Sequence, residues 1–383
     1  MNTTKLKNVC VVVSGTTPKS TDKRYWNGTH VWITPAELSE DSFIVTDSER
    51  HITDEAIKAT GLKSFPKGTV LLSSRAPIGK VAIAGCEMYC NQGFKNLICS
   101  ESIYNLYLYY FLKSKTAYLN SLGRGATFKE ISKGIVEDIS IPFPVYSEQI
   151  RIAKQLQKIS ELISLKKGQY RYFDDIIRSR FIEMFGDSQS NPKGFPYKRI
   201  NEFAKCIAGA TPSTKRKEYW SNGIIPWMSS GEVNYKRIWE TEKRISQIGY
   251  DSCSTKMIPA HTVVIAMAGQ GRTRGTVAVA EIPLCTNQSL CSIITDGTVD
   301  TDYLFTYLQF QYNNLRNISN GSSGRGGLNI KLIGQFAVLV PPLAIQQKFS
   351  NFLKEIDKSK MAVQKSLDEL ETLKKSLMQT YFG

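Results

Sequence analysis

Two stretches of this 383-residue chain, 147–186 and 344–383, carry apolar residues at helical spacing. In the first, Ile152, Leu156, Ile159, Ile163, Tyr170, Phe173, Ile177, Phe181 and Met184 recur mostly at steps of three, four or seven. In the second, Ile345, Phe349, Phe352, Ile356, Val363, Leu367, Leu370, Leu373 and Leu377 do the same. Such steps place side chains on one stripe of a helix. Each stretch opens just after a proline, Pro144 or Pro342, and closes on Phe185-Gly186 or Phe382-Gly383, with the glycine where a helix stop belongs. A helix of roughly 37 residues at 1.5 Å rise is on the order of 55 Å long. The opposite faces (Lys154, Lys158, Lys166, Lys167; Lys354, Asp357, Lys358, Lys360, Lys365) are charged and suit solvent. The pattern therefore predicts two long helices that cover each other's stripes as a coiled coil.

Elsewhere the pattern shortens to β-branched, turn-bounded runs at 9–13, 69–73, 81–84 and 97–99, and again at 262–266, 276–280 and 292–295, which read as strands. Segments 104–119 and 303–315 have the aromatic and leucine spacing of one packed helix each, and 139–143 and 336–340 read as strands before the prolines. Residues 187–195, with Asn191-Pro192 and Gly194, read as a linker.

The chain is written twice. Gly15, Thr17, Pro18, Tyr25 and Trp26 recur 194 positions later as Gly209, Thr211, Pro212, Tyr219 and Trp220. Trp32 and Glu37 recur at 195 as Trp227 and Glu232; Gly79, Val81, Ala82 and Ala84 recur at 196, as do Asn91-Gln92 (Asn287-Gln288), Tyr107, Leu108 and Leu112. Gln149 matches Gln347 at 198, and Ser179, Phe185 and Gly186 match Ser376, Phe382 and Gly383 at 197. The expected organisation is α+β: a first module, 1–145; a central helix, 146–186; a second module, 187–342; and a final helix, 343–383. Helices paired antiparallel would give this repeat an internal pseudo-two-fold.

Charge narrows the function. Lysine plus arginine outnumber aspartate plus glutamate 49 to 34, a formal charge of +15, which suits a polyanion and above all nucleic acid. No apolar run is long enough for a membrane span and the first residues carry no apolar leader, so a cytoplasmic location is expected. The eight cysteines lie in apolar stretches without a Cys-x-x-Cys and read as reduced small hydrophobes; the three histidines lack metal-ligand spacing. The chain has no phosphate loop, no acidic-x-Lys nuclease element and no complete dinucleotide fingerprint, and Asn191-Pro192-Lys193-Gly194 lacks the second proline of an amino-methyltransferase motif. No catalytic or metal residue is assigned, and no cofactor is expected in this chain.

Candidate DNA contacts fall where the copies diverge. Loop 73–80, with Arg75 and Lys80, is aligned with 268–275, which holds Gln270, Arg272 and Arg274; arginine can bond guanine and glutamine adenine in the major groove. Loop 123–129, with Arg124 and Lys129, corresponds to 321–327, with Arg325; its small residues let backbone N–H groups approach phosphate. Lys19 and Arg24, and Lys215, Arg216 and Lys217, follow the Thr-Pro turns and suit phosphate. Asn91, Gln92, Asn287 and Gln288 either read bases or satisfy buried backbone. The tryptophans can stack on bases, but their place in a strand-and-turn pattern favours the core.

The Gly-x-Thr-Pro turn followed by Tyr-Trp, the proline-ended strand leading to a Glu/Gln-Gln helix (141–149, 340–347) and the Phe-Gly helix endings, all in tandem, resemble the specificity subunits of Type I restriction-modification systems. The resemblance covers the whole chain. It implies two target-recognition domains, each reading one half of a bipartite, asymmetric duplex DNA target, and two conserved helical regions that set the gap. It implies that the helices dock two methyltransferase subunits using S-adenosylmethionine to modify adenine, joined by ATP- and Mg-dependent restriction and translocase subunits. This chain would then be non-catalytic. A target-recognition adaptor of another methylation-based defence system, and a protein- or carbohydrate-binding repeat scaffold, are the competing readings.

Overall fold

The computed structural model describes every residue except 1, 76, 126–128, 189, 270 and 320–326. The chain forms two compact units, one of Met1–Gln169 with Val363–Gly383 and one of Tyr170–Ala362. Each unit therefore holds one recognition module and half of each long helix.

The modules share one topology. The first has a five-stranded sheet in the order Cys10–Val13, Asn96–Cys99, Val70–Leu72, Val81–Ala84, Ile44–Val45. The second has Ala204–Ala208, Leu290–Thr295, Thr262–Ala266, Val277–Ala280, Arg237–Ile238 in the same order. In both, the last strand pairs parallel and the others antiparallel. A smaller three-stranded sheet accompanies each: His51–Ile52, Trp26–Ile33, Tyr89–Cys90, and Lys243–Ile245, Ile225–Met228, Cys285–Thr286. A two-stranded ribbon, Thr3–Lys5 with Ser140–Pro142 or Tyr197–Arg199 with Ala337–Leu339, closes the module just ahead of its long helix.

The central sheet strands Val70–Leu72, Val81–Ala84, Thr262–Ala266 and Val277–Ala280 are buried throughout, so both faces of each sheet are covered. One covering layer is helical, and here the sequence expectation needs correction. Segment 104–119 is two helices, Asn105–Ser114 and Thr116–Ser121, because the Lys115 N–H turns to Leu112 O at 3.1 Å and its φ/ψ, −100°/13°, leaves the helical basin. Gln311, at −87°/8°, divides Thr301–Phe310 from Tyr312–Ile318 in the same way.

The long helices span Tyr146–Phe185 and Leu343–Phe382. Gly186 and Gly383 follow them at positive φ, 79° and 37°, and each N–H closes the last turn, as helix-stop glycines do. Within each unit the helices run antiparallel. In the first unit Tyr381 Oη donates to Gln155 Oε1 at 2.9 Å and Lys167 pairs with Glu371 at 3.0 Å. In the second, Lys360 pairs with Asp174 at 2.5 Å and the Phe181 and Phe349 rings meet edge-on at 5.4 Å.

Three positions depart from the predicted stripe and charged face. Leu373 is 47% exposed, and Lys374 takes its seam place, because Val363, Leu367, Leu370, Lys374 and Leu377 keep the four-three alternation that a coiled coil needs. Burial pushes the Lys374 ammonium below its usual pKa, with Lys113 and Lys167 adding repulsion. Asp357 and Lys360 leave the solvated face: Arg237 Nε approaches Asp357 at 3.5 Å, and Lys360 also sits over the Tyr170 ring.

Each helix entry is fixed by a buried glutamine. Gln149 Oε1 accepts from Tyr104 N at 2.9 Å, while Nε2 donates to Ser102 O and Pro144 O. Gln346 repeats this, accepting from Asp300 N at 2.8 Å and donating to Pro341 O at 2.7 Å. The partner of Gln149 is therefore Gln346, not Gln347, which is exposed, and the true proline equivalent is Pro341. The doubled prolines and doubled glutamines shifted the sequence alignment by one.

Candidate nucleic-acid interface

The Gly-x-Thr-Pro turn is tied down identically in both modules. A Cβ on Gly15 would lie 1.6 Å from Cys90 O, and one on Gly209 1.8 Å from Thr286 O, so only glycine lets the loop cross the small sheet. Trp26 Nε1 donates to Lys19 O at 3.3 Å and Trp32 Nε1 to Thr16 O at 3.1 Å. Trp220 and Trp227 donate to Ser213 O and Ala210 O at 3.2 and 3.0 Å. Each pair packs edge-to-face, with centroids 5.1 and 5.0 Å apart. These four tryptophans thus hold the loop, Trp26, Trp32 and Trp227 from buried positions and Trp220 from a half-buried one. Glu37 and Glu232 finish the frame: each carboxylate caps its own short turn and accepts a second backbone N–H, from Glu49 or Glu242.

The Asn-Gln pairs divide their labour. Asn91 Oδ1 accepts from Gly93 N at 2.9 Å and Asn287 Oδ1 from Ser289 N at 3.1 Å, closing local turns. Gln92 and Gln288 are exposed, and each accepts through Oε1 from the hydroxyl of the loop threonine, Thr17 (2.6 Å) or Thr211.

Sequence reasoning missed a cation beside this frame. Arg50 lies over the Trp26 ring at 3.4 Å and near Trp32 at 5.9 Å, and Lys243 lies over Trp220 at 5.9 Å. Ser48 Oγ and Thr241 Oγ1 accept from Trp32 N and Trp227 N, which makes Arg50 and Lys243 equivalent. The signal was a conservative charge substitution, invisible to a search for identities.

The first module's two divergent loops meet. Arg75 and Arg124 both form β-bridges with Glu130, and Ile131 N donates to Ser74 O at 2.9 Å. Glu130 also pairs with Arg75 Nε at 2.9 Å and with the nearly buried Lys95 ammonium at 3.1 Å. Burial acts to raise the Glu130 carboxyl, but the guanidinium and ammonium outweigh it and hold it below its ordinary pKa. Asn120 Nδ2 anchors the loop through Ile78 O at 2.9 Å. Lys80 is turned inward, its ammonium bonded to Pro35 O at 3.2 Å and to Leu38 O.

In the second module the corresponding hairpin is longer. Ser73 N bonds Lys80 O, whereas Ala266 N bonds Thr276 O, so the loop has three more residues than the alignment with 268–275 allowed. Tyr312 Oη donates to Arg272 O at 2.9 Å, and Arg316 Nη1 donates to Gly271 O at 2.6 Å and Arg274 O at 3.4 Å. Gln270 and Arg325 lie outside the described residues.

The remaining cations fall into two groups. Arg24 is held by Asp22 at 2.7 Å and Glu55 at 3.2 Å, and Arg216 lies 3.7 Å from Glu218. Lys19, Arg124, Lys129, Lys215, Lys217 and Arg272 are exposed and make no ion pair among the described residues. Of the candidates, these are open to a polyanion, as are the Trp-seated Arg50 and Lys243. Among the described residues no cluster of three or more His, Cys, Asp or Glu could hold a metal, and no helix is long and apolar enough to cross a membrane.

The model of the Type I restriction modification DNA specificity domain matches residues 1–171 and again 192–372. The chain is 29% identical, over 98% of its length and 90% of the relative's, to the Type I restriction enzyme MjaIX specificity subunit of Methanocaldococcus jannaschii. It is 28% identical to the EcoprrI specificity subunit of Escherichia coli over 45% of its length and 49% of the relative's. Its fold matches the crystal structure of the S subunit of a Type I restriction-modification system from M. genitalium with a TM-score of 0.63 at 15% identity, covering 100% of this chain and 96% of that one. The two family matches coincide with the two structural repeats, and the chain belongs to the DNA specificity subunits of Type I restriction-modification systems, supplying sequence recognition rather than catalysis.

Proposed function

We propose that each module reads one half of a bipartite, asymmetric DNA target and that the paired helices fix the gap between the halves. The observation that carries this is the pairing of sameness with difference. Both modules repeat the Gly-x-Thr-Pro frame bond for bond, while the adjacent hairpins differ in length, charge and internal ion pairs. A common frame presenting unlike loops suits two readers of unlike sequences. The helices would also carry two methyltransferase subunits, which use S-adenosylmethionine to modify adenine flipped from the duplex, and restriction and translocase subunits drawing on ATP and Mg would join the full assembly. A cytoplasmic location follows from that work.

Sequencing of modified adenines in cells carrying this chain and its methyltransferase tests the reading. A two-part motif with a fixed, unread gap supports it; a single continuous motif contradicts it. If modification appears only with partners of another defence system, the same architecture serves that system instead.

A further inference from the structure

We infer that Gln92 with Arg50, and Gln288 with Lys243, form two equivalent clamps for a backbone phosphate, one per module, and do not read bases. The inference rests on the reading of the chain as a DNA reader and assigns a task to one part of each module.

The first ground is chemical direction. Thr17 and Thr211 donate to the Oε1 atoms of Gln92 and Gln288, which leaves each exposed amide nitrogen with no hydrogen-bond partner among the described residues. An outward-facing NH2 group donates and so seeks an acceptor oxygen. Adenine reading by glutamine uses acceptor and donor together at N6 and N7; here the threonine hydroxyl already holds one of the two lone pairs of the acceptor, and the same glutamine stands in both modules whichever half-site each reads.

The second ground is the nature of the cation. Arg50 and Lys243 occupy the same place, each over the outer tryptophan of its frame. Arginine and lysine share charge but not the planar, bidentate fork, so an exchange between them keeps the charge and not a fixed hydrogen-bond geometry. What both copies preserve is a positive charge and an amide donor tied to one loop frame, and the ligand feature common to every half-site is the phosphate. The loop frame fixes both groups: Trp26 and Trp32 bond the backbone of Lys19 and Thr16, and Thr17 bonds Gln92.

The test uses the chain assembled with its modification subunits, on a duplex carrying its target and on a scrambled duplex. In Gln92→Glu a carboxylate still accepts from the Thr17 hydroxyl, so the loop contact survives while the outward donor becomes an anionic acceptor. Affinity for both duplexes should fall about tenfold or more, because a hydrogen bond to a charged group is lost and repulsion replaces it. A single neutral methylphosphonate in the facing half-site should restore most of the loss, and the methylated motif should not change. Gln288→Glu should do the same in the other half. Arg50→Gln should lower the magnitude of the log affinity–log salt slope by about 0.9. Unaltered affinity in both glutamate variants, or a changed base preference in the motif, would overturn the clamp while leaving the DNA-reading role intact. Failure of the unsubstituted assembly to bind either duplex would remove both.

Discussion

Phe382, at the end of the final helix, sets its ring edge-on against Tyr107 of the first module at 5.3 Å, with Phe111 5.8 Å away. It is 3% exposed and belongs to the same apolar cluster as Leu6, Val70 and Leu97. Phe185, at the end of the central helix, does the same in the second unit against Tyr303 at 4.7 Å and Phe349 at 5.4 Å. Each module's core is thus completed by the tip of the helix that follows the other module in sequence, which is what an antiparallel pair within one chain requires.

Phe382→Ala should therefore weaken the first unit although the residue lies far from that module in sequence. Truncating a buried phenylalanine costs about 3–5 kcal/mol. Hydrogen exchange should show lost protection in Asn105–Ser114 with Thr301–Phe310 largely unchanged. Equal loss in both helices, or none, would contradict this division.

The register of the helix entry predicts an asymmetry between adjacent glutamines. Gln346→Leu should orphan Asp300 N and Pro341 O, at about 1–3 kcal/mol for each buried group left unpaired. Gln347→Leu, at an exposed position, should stay within about 0.5 kcal/mol. Denaturant unfolding of the two variants decides it, and the reverse order would restore the alignment by sequence identity.

Much of this fold was legible in the sequence because it is written in apolar periodicity and repeated. The helix pair, its direction and the central strands needed only spacing and the second copy. The breaks at Lys115 and Gln311 were not legible, since neither is Gly or Pro and a one-residue departure leaves the apolar spacing intact. Lys374 was missed because Leu373 beside it is the better hydrophobe, although the seam geometry selects the lysine. At the candidate interface, spacing found the loops but not their chemistry. Glu130 pairs with Arg75 across 55 positions, and that carboxylate decides which face of the guanidinium is free.

Acid should loosen the first module's loop pair. The Glu130 carboxyl is held below its ordinary pKa, so its ion pairs contribute fully above the unfolded value, about 4.3, and are lost as pH falls through the lower folded value. Thermal unfolding of the first unit should show this loss below about pH 4, and Glu130→Gln should flatten it. An unchanged acid limb in the variant would show that Glu130 does not carry that dependence.

The glycine of the Gly-x-Thr-Pro turn should tolerate no side chain. Gly15→Ala and Gly209→Ala place a methyl group on the carbonyls of Cys90 and Thr286, and the displaced loop should cost at least about 1–3 kcal/mol of stability. Each should also reduce DNA affinity through the half-site its module reads, visible as weakened footprint protection on one side only. Symmetric weakening would contradict the division of the target between modules.

Replacement of residues 1–145 by the equivalent module of another specificity subunit, followed by sequencing of modified adenines, tests the division of labour most directly. The chimera should methylate a motif in which one half is new while the other half and the intervening gap are retained. A motif altered in both halves, or in neither, would contradict it.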